Sequence, residues 1–176
     1  MKKLFLPEKI KGTRILLKKN VMEQVEEIFK CIESNRSRLR EFMHWVDTTT
    51  KLEDEIKFIK TSEMFFGKPM RSYGIFYDGK YIGNISAHNI DLEKDMCEFG
   101  YWIDGKYEGK GFMSEAISVL ENALRSNGFK RVELAIERPN VRSLKVAEKN
   151  GYKYETTVNR RKYEKDLELL VFVKYL

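Results

Sequence analysis

Three glycines within seven residues, followed by an apolar run, most constrain how this chain can fold. The segment GKYEGKGFMSEA spans residues 105–116 and passes from Gly105, Gly109 and Gly111 into residues typical of a helix. Glycine loses more conformational entropy on folding than any other residue, so a cluster indicates a backbone that needs positive φ or close approach. The segment therefore predicts a tight turn that opens a helix at Phe112.

The start of that helix is a candidate anion site. The first N–H groups of a helix have no intrahelical acceptor, and the helix dipole favours negative charge beside them. Lys106 and Lys110 add positive charge around Gly109 and Gly111. The segment lacks both the Gly-Lys-Ser/Thr ending and the Gly-x-Gly-x-x-Gly order of two familiar phosphate loops. Two interpretations stay open: a diphosphate cradle, or a strand–helix connection that needs glycine for its dihedral angles.

The rest of the sequence predicts one mixed α/β domain. An antiparallel meander follows from the Asp78-Gly79 turn signal, and a strand–helix–strand order after residue 96 predicts one local crossover with parallel pairing. The predicted strands are 13–20, 71–77, 80–90, 96–104, 130–137, 152–158 and 167–176. The predicted helices are 21–33, a short one within 36–47, 52–66, 112–127 and 141–149, the last capped by Asn140.

Composition excludes several functional classes. The 33 Lys and Arg against 27 Asp and Glu give a net charge of +6, with the basic residues spread along the chain, which indicates a solvated surface more than a nucleic-acid face. No apolar stretch approaches the ~20 residues that span a bilayer. Cys31 and Cys97 match no metal or redox spacing, so we expect reduced thiols, no metal and a cytoplasmic location.

Two ordered motifs resemble the GNAT N-acetyltransferase superfamily, and within it the ribosomal-protein (RimJ/RimL-like) branch. The first is EFGYWIDGKYEGKGFMSEA, in which residues 106–111 follow the superfamily pattern Gln/Arg-x-x-Gly-x-Gly/Ala with lysine in the first position. The second is N-x-x-S-x-x-x-A-E-K-x-G-Y, from Asn140 to Tyr152. The resemblance covers residues 10–176 and is strongest over 98–152.

The resemblance implies a single-domain GNAT-type fold with a mostly antiparallel, twisted sheet, one splayed parallel strand pair and flanking helices. Acetyl-CoA would lie between the splayed strands EFGYWI and RVELAIE, with its diphosphate on the amides of Lys106 through Met113. The implied cofactor-binding residues are Tyr101, Trp102, Ile103, Lys106, Gly109, Lys110, Gly111, Phe112, Met113, Asn140 and Ser143. An amine would attack the thioester directly, with no covalent enzyme intermediate.

Two residues are the preferred proton carriers. Glu98, flanked by Cys97 and Phe99, is the candidate base, with a raised pKa expected from burial; the alternative is an exposed glutamate or a structural ion pair. Ser143 is the candidate acid at the thiol end; the alternative is an ordinary first-turn serine. Many members of the family use a tyrosine as the acid, but spacing selects neither Tyr152 nor Tyr154.

Residues for the acceptor are less constrained. Phe42, His44 and Trp45 are candidate walls of the acceptor cleft or core residues, and His88 is either a proton shuttle or a structural histidine. A protein N-terminus is the favoured acceptor, because an α-amine with pKa ~8 is easier to deprotonate than a lysine at ~10.4. The alternatives are a small amine such as a polyamine or amino sugar, a coenzyme sensor without catalysis, and a basic RNA- or ribosome-binding module.

Two further expectations concern surfaces. Acceptor choice is expected in loops at 34–70 and 155–166, and the apolar C-terminal strand is expected to be able to pair across a homodimer. No membrane association and no direct nucleic-acid contact are expected.

Overall fold

A computed structural model describes residues 4–61, 64–65 and 68–176 of the chain. The strands are β1 (Lys9–Lys11), β2 (Ile15–Lys19), β3 (Met64–Phe65), β4 (Lys68–Pro69), β5 (Arg71–Tyr77), β6 (Lys80–Asp91), β7 (Met96–Ile103), β8 (Arg131–Glu137), β9 (Lys153–Lys162) and β10 (Lys165–Tyr175). The α-helices are α1 (Val25–Leu39), α2 (Leu52–Thr61), α3 (Phe112–Ser126) and α4 (Val141–Lys149). Short 3₁₀ turns at Met22–Gln24, His44–Asp47 and Gly105–Tyr107 connect them.

The described strands form an eight-stranded sheet in the order β1-β2-β5-β6-β7-β8-β10-β9, with β3 and β4 paired separately. Neighbours in the large sheet are antiparallel except β7 and β8, which run parallel because α3 carries the chain across between them. The predicted mixed α/β fold with one parallel pair is therefore confirmed.

Alternating burial explains how the sheet and α3 pack. In β8, Val132, Leu134 and Ile136 are buried while the residues between them are half-buried. Helix α3 presents a stripe that includes Ala116, Ile117, Leu120 and Leu124, all fully buried, to the same core. A second core cluster lies under α1 and α2 and includes Ile28, Ile32, Tyr81 and Trp102.

Parts of the predicted secondary structure are wrong. Helix α1 runs unbroken to Leu39, past the predicted end at residue 33. The side chains of Asn35 and Arg36 donate to the backbone carbonyls of Cys31 and Val46, which stabilises this last part of the helix. Helix α2 ends at Thr61, so the predicted helix over 52–66 is too long, and its residues 62, 63 and 66 lie outside the described structure. Strand β1 was not predicted.

The C-terminal region also differs from the sequence prediction. Residues 155–166 are mostly strand, because β9 and β10 form a long hairpin that turns at Tyr163 and Glu164. Strand β10 is paired on both edges, to β8 and to β9, so it has no free edge for a second subunit. The expected dimer route through that strand is wrong, and a homodimer as such stays a prediction.

The parallel strands β7 and β8 separate halfway along their length. They pair only at Met96↔Arg131, Cys97↔Val132 and Glu98↔Glu133. From Phe99 onward β7 stays paired with β6 alone, while β8 continues beside β10. The predicted splay is therefore present, and it leaves one backbone edge of β7 available at Tyr101–Ile103. None of the helices in the described ranges is long and apolar enough to cross a membrane.

Candidate active site

Two cavities meet where β7 and β8 diverge. The first, of about 320 Å³, lies among Tyr101–Ile103, the glycine loop and the start of α4. The second, of about 590 Å³, lies on the other side, under α2 and the segment around Trp45. Both are lined by Phe42, Met43, Tyr101, Trp102, Asn140 and Ser143. The shared residues place the two cavities next to each other at the splay.

The glycine loop presents free backbone donors to the first cavity. None of the N–H groups from Gly109 to Ser114 donates to an acceptor within the described ranges, and the first intrahelical bond is from Glu115 N–H to Gly111 O at 3.0 Å. Gly109 and Gly111 have φ of 72° and 81°, as the turn into a helix requires. Consecutive free amides at a helix N-terminus fit a diphosphate.

The set of free amides is shorter than predicted. The N–H of Lys106 donates to Asp104 Oδ1 at 3.1 Å, and the following two amides bond to Asp104 O and Gly105 O. The expectation that the amide of Lys106 is available is therefore wrong, since a 3₁₀ turn uses it internally. The side chain of Lys110 lies over the Tyr107 ring, with its ammonium 5.4 Å from the centroid.

Arg38 of α1, which the sequence analysis missed, braces this loop. Its guanidinium donates to Ile103 O at the end of β7 and pairs with Glu108 in the loop. It also donates to Asn35 Oδ1 at 3.1 Å, which in turn accepts the Gly105 N–H at 3.0 Å. One side chain thus ties a helix of the second core cluster to the splayed strand and to the glycine loop.

Asn140 and Ser143 lie at the junction of the two cavities. The predicted cap is confirmed, because Asn140 Oδ1 accepts the Ser143 N–H at 3.1 Å. The Tyr101 hydroxyl is buried beside Ser143 and makes no hydrogen bond of ordinary geometry to any described residue. Burial raises the pKa of Tyr101, and the Ser143 side chain lowers it in part. Two hydroxyl groups are thereby placed together at the splay.

Tyr152 and Tyr154 lie elsewhere. The Tyr152 hydroxyl donates to buried Glu121 at 2.7 Å, and the Tyr154 hydroxyl bonds to Thr157. Neither tyrosine lines a cavity at the splay. The tyrosine that meets Ser143 is Tyr101, which the sequence analysis considered only for its backbone.

Glu98 lies in the second cavity, buried in a cluster of donors. Its carboxylate interacts with His88 Nε2 at 3.3 Å, Asn89 Nδ2 at 3.2 Å, Arg160 at 2.5 Å and Lys162 at 3.9 Å. Burial by itself would raise the pKa of Glu98, but the His88 hydrogen bond and the charges of His88, Lys162 and Arg160 hold it well below its usual range. The predicted raised pKa is wrong.

The local backbone explains why Glu98 and His88 meet. The register of β6 against β7 shifts between His88 and Asp91, and Asn89 has φ of 49°. His88 and Glu98 are direct cross-strand partners in the regular register just before this irregularity, and both line the second cavity. The irregularity re-aims the next side chain, so that Asn89 also donates to Glu98.

The predicted acceptor residues line the second cavity as well. Phe42, His44 and Trp45 form part of its wall, and the Trp45 ring is 6.4 Å from that of Trp102. His44 Nε2 is 2.8 Å from Glu137 Oε1, and its Nδ1 is 3.3 Å from Lys165 Nζ. Glu137 ends β8 and had no distinguishing signal in the sequence.

The comparisons with known proteins give the family. The acetyltransferase (GNAT) domain family matches residues 14–153, and this chain belongs to it. The protein is therefore an acetyltransferase. Ribosomal-protein-serine acetyltransferase of Escherichia coli (strain K12) is 26% identical over 144 residues, which cover 81% of this chain and 80% of the relative.

Solved structures share the fold over nearly the whole chain. RimL, the ribosomal L7/L12 alpha-N-protein acetyltransferase in complex with coenzyme A, aligns with a TM-score of 0.86 at 20% identity, covering 96% of this chain and 98% of that one. The microcin C7 self-immunity acetyltransferase MccE, in complex with acetyl-CoA and AMP, also has a TM-score of 0.86, at 22% identity and 98% and 99% coverage. These similarities confirm the predicted fold.

Proposed function

We propose that this protein transfers the acetyl group of acetyl-CoA directly to the α-amine of a protein N-terminus. The observation that supports this most is the meeting of two cavities at Tyr101 and Ser143. One cavity has the free amides that suit a diphosphate, and the other is large enough for the end of a peptide. Acetyl-CoA supplies the activated acetyl thioester when bound.

The residues that would hold the coenzyme are those around the first cavity. The amides of Gly109–Ser114 bind the diphosphate, and the edge of β7 at Tyr101–Ile103, apart from the Ile103 carbonyl that Arg38 occupies, binds the pantetheine amides. Lys145 and Lys149 of α4 line the same cavity and add positive charge for phosphate. Arg38 keeps the loop and the strand end in place.

Ser143 donates a proton at the thiol end of the cavity, and Tyr101 supports it. A serine hydroxyl is a weak acid, so a second hydroxyl beside it is needed to stabilise the charge that develops. The buried Tyr101 hydroxyl, which lacks another partner among the described residues, fits that role. A positioned acid of this kind contributes a factor of ~10²–10⁴.

Glu98 and His88 together accept the proton of the acceptor ammonium. A carboxylate whose pKa is held low is a weak base by itself, but it stabilises an imidazolium beside it. Glu98 therefore acts through His88. The His88 ring bonds to Glu98 through Nε2 and lines the acceptor cavity. This changes the predicted division of labour, in which Glu98 was the base and His88 the shuttle.

The choice of a protein N-terminus rests on the relatives and on proton chemistry. The E. coli relative is named as a ribosomal-protein-serine acetyltransferase and RimL as an alpha-N-protein acetyltransferase. An α-amine with pKa ~8 is partly neutral near pH 7, which suits a modest base. We propose a ribosomal protein as the acceptor and the cytoplasm as the location.

Acetyl transfer from labelled acetyl-CoA to peptides and to small amines tests this function. We expect kcat/KM to be at least about tenfold higher for peptide α-amines than for polyamines or amino sugars. Ser143→Ala and Tyr101→Phe should lower kcat by roughly ten- to a thousandfold with little change in coenzyme affinity. Ser126→Ala, an exposed serine at the end of α3, is the matched control. Preference for a small amine, or no calorimetric heat with coenzyme A, would refute the proposal.

A further inference from the structure

A buried carboxyl group without a partner lies in the acceptor cavity. Glu55 is on the inner side of α2, is 3% exposed, and lines the second cavity. It makes no hydrogen bond or ion pair with any residue in the described ranges. Buried carboxyl groups are normally paired, because removing such a group from water is costly unless something replaces the lost hydrogen bonds. The site that Glu55 faces is therefore suited to a ligand.

A second orphan polar group lines the same cavity. The Tyr81 hydroxyl is buried, has no hydrogen-bond partner within the described ranges, and belongs to the lining of the same cavity. Glu55 and Tyr81 line one cavity, and burial, followed by the charges of Cys31, Glu55 and Glu27, raises the pKa of Tyr81. The position of Tyr81 is fixed by the bond from its N–H to Glu27 at 2.9 Å and by its packing on Trp102.

The charge of the cavity wall indicates what kind of ligand fits. Four carboxylates line it (Asp54, Glu55, Glu98 and Glu137) against two lysines, Lys57 and Lys162. Arg160 and Lys162 pair with Glu98 and make no ion pair with Glu55. With Arg160 included, four acidic side chains face three basic ones, so the wall has a small acidic excess although the chain as a whole has a net charge of +6. Such a wall favours a cation that carries hydrogen-bond donors.

We propose that Glu55 and Tyr81 bind a second cationic group of the acceptor, an ammonium or guanidinium, while its α-amine is acetylated at the splay. The proposal rests on the proposed function and names the acceptor class more closely: an N-terminus followed within a few residues by lysine or arginine. An ammonium or guanidinium carries only hydrogen-bond donors. The Glu55 carboxylate and the Tyr81 hydroxyl oxygen can both accept from it.

A peptide scan tests the pocket. Hexapeptides of one neutral sequence receive a single lysine at position 2, 3 or 4, and norleucine, which keeps the chain length without the charge, replaces it in the matched set. At one of the three positions, we expect kcat/KM to be about ten- to a hundredfold higher for the lysine peptide than for the norleucine peptide. A charge-assisted hydrogen bond in a desolvated site gives a difference of this size. In Glu55→Gln that ratio should fall to within about threefold of unity, and Tyr81→Phe should lower it partly.

Glu53→Gln is the matched control variant. Glu53 lies two residues earlier on the exposed side of α2, so the substitution removes the same charge from the same helix without touching the cavity. It should leave the lysine-to-norleucine ratio at the wild-type value. If Glu55→Gln does not fold, Tyr81→Phe and the wild-type ratio still decide the outcome. A wild-type ratio of unity at every position, or an equal drop of the ratio in Glu53→Gln, would overturn the pocket.

Binding of unreactive peptides separates this inference from the proposed function. N-acetylated versions of the same peptides have no free α-amine, and the coenzyme A complex has no acetyl group to transfer, so calorimetric titration into that complex reports binding at the pocket alone. Tighter binding of the N-acetyl lysine peptide, lost in Glu55→Gln, supports the pocket even where free N-termini prove poor acceptors. Rapid acetylation of peptides without any lysine preference in rate or binding would uphold the proposed function and refute the pocket.

Discussion

Glu55 also makes a prediction about stability that needs no substrate. Burial raises the pKa of this carboxyl from 4.5 to about 7, with no compensating partner. Between pH 4.5 and 7 the folded protein holds a proton on Glu55 that the unfolded chain has released, so stability falls as the pH rises. The full cost is present above pH 7. At about 1.4 kcal/mol per pH unit, the difference amounts to roughly 3 kcal/mol.

Glu55→Gln removes this cost, because the amide keeps the shape of the protonated carboxyl and cannot ionise. We expect the variant to be more stable than the wild type by roughly 2–3 kcal/mol at pH 8 and to equal it at pH 4.5, where both groups are neutral. Urea denaturation followed by circular dichroism at pH 4.5, 6 and 8 measures this. For a chain of this length the gain at pH 8 corresponds to a rise in Tm of roughly 4–12 °C.

The comparison with Glu53→Gln makes the test specific. Glu53 is exposed on the same helix, so its substitution should change the free energy of unfolding by less than about 0.5 kcal/mol at each pH. A Glu55→Gln variant that is less stable than the wild type at pH 8, or equally shifted at all three pH values, would refute the reasoning. Such a result would mean that the ionised carboxylate has a stabilising partner.

Three further predictions concern the splay and its supports. Gly83→Ala would place a Cβ against Trp102 O and 2.8 Å from Ile103 Cα, so strand β7 must move, and we expect a loss of roughly 1–3 kcal/mol in thermal unfolding together with a higher KM for acetyl-CoA. Arg38→Ala should raise the KM for acetyl-CoA roughly tenfold in steady-state kinetics, because one or two charge-assisted hydrogen bonds to the loop and strand are lost. Glu98→Gln should destabilise the protein by roughly 1–3 kcal/mol at pH 7, since it leaves two neighbouring cations unpaired. The depressed pKa of Glu98 means that this contribution is present above pH ~4.5 and is lost as the pH falls towards the folded-state pKa, which acid denaturation would follow.

The first two of these variants have matched controls. Gly79→Ala lies in the hairpin turn, where a Cβ meets nothing within 4 Å, so it should not affect coenzyme kinetics. Arg40→Ala removes an exposed arginine paired with Asp47 and should leave the KM unchanged. Unaltered coenzyme affinity in Arg38→Ala would show that the loop holds its shape without the brace. An acid-denaturation curve that is the same for Glu98→Gln and the wild type would contradict the charge cluster.

Local signals explain what was predictable. The glycine turn, the Asn140 cap and the Asp78-Gly79 hairpin depend on neighbouring residues in the chain, and each was found where the sequence placed it. Strand β8 and helix α3 followed from their apolar periodicity. Predictions were wrong where contacts across the fold decide: the pKa of Glu98 is lowered first by His88, 10 positions away on the neighbouring strand, and then by Lys162 and Arg160, the latter 62 positions away.

The sequence by itself determined the fold class, the family motifs and the position of the glycine loop, because dihedral preference and hydrophobic period are properties of short segments. Only the tertiary structure decided which side chains meet at the splay and in the two cavities. It brings Tyr101 to Ser143, Arg38 to the loop, and Glu55 and Tyr81 into one cavity, from different strands and helices. Charge and burial act through space, so the protonation states of the site follow from packing that no single segment encodes.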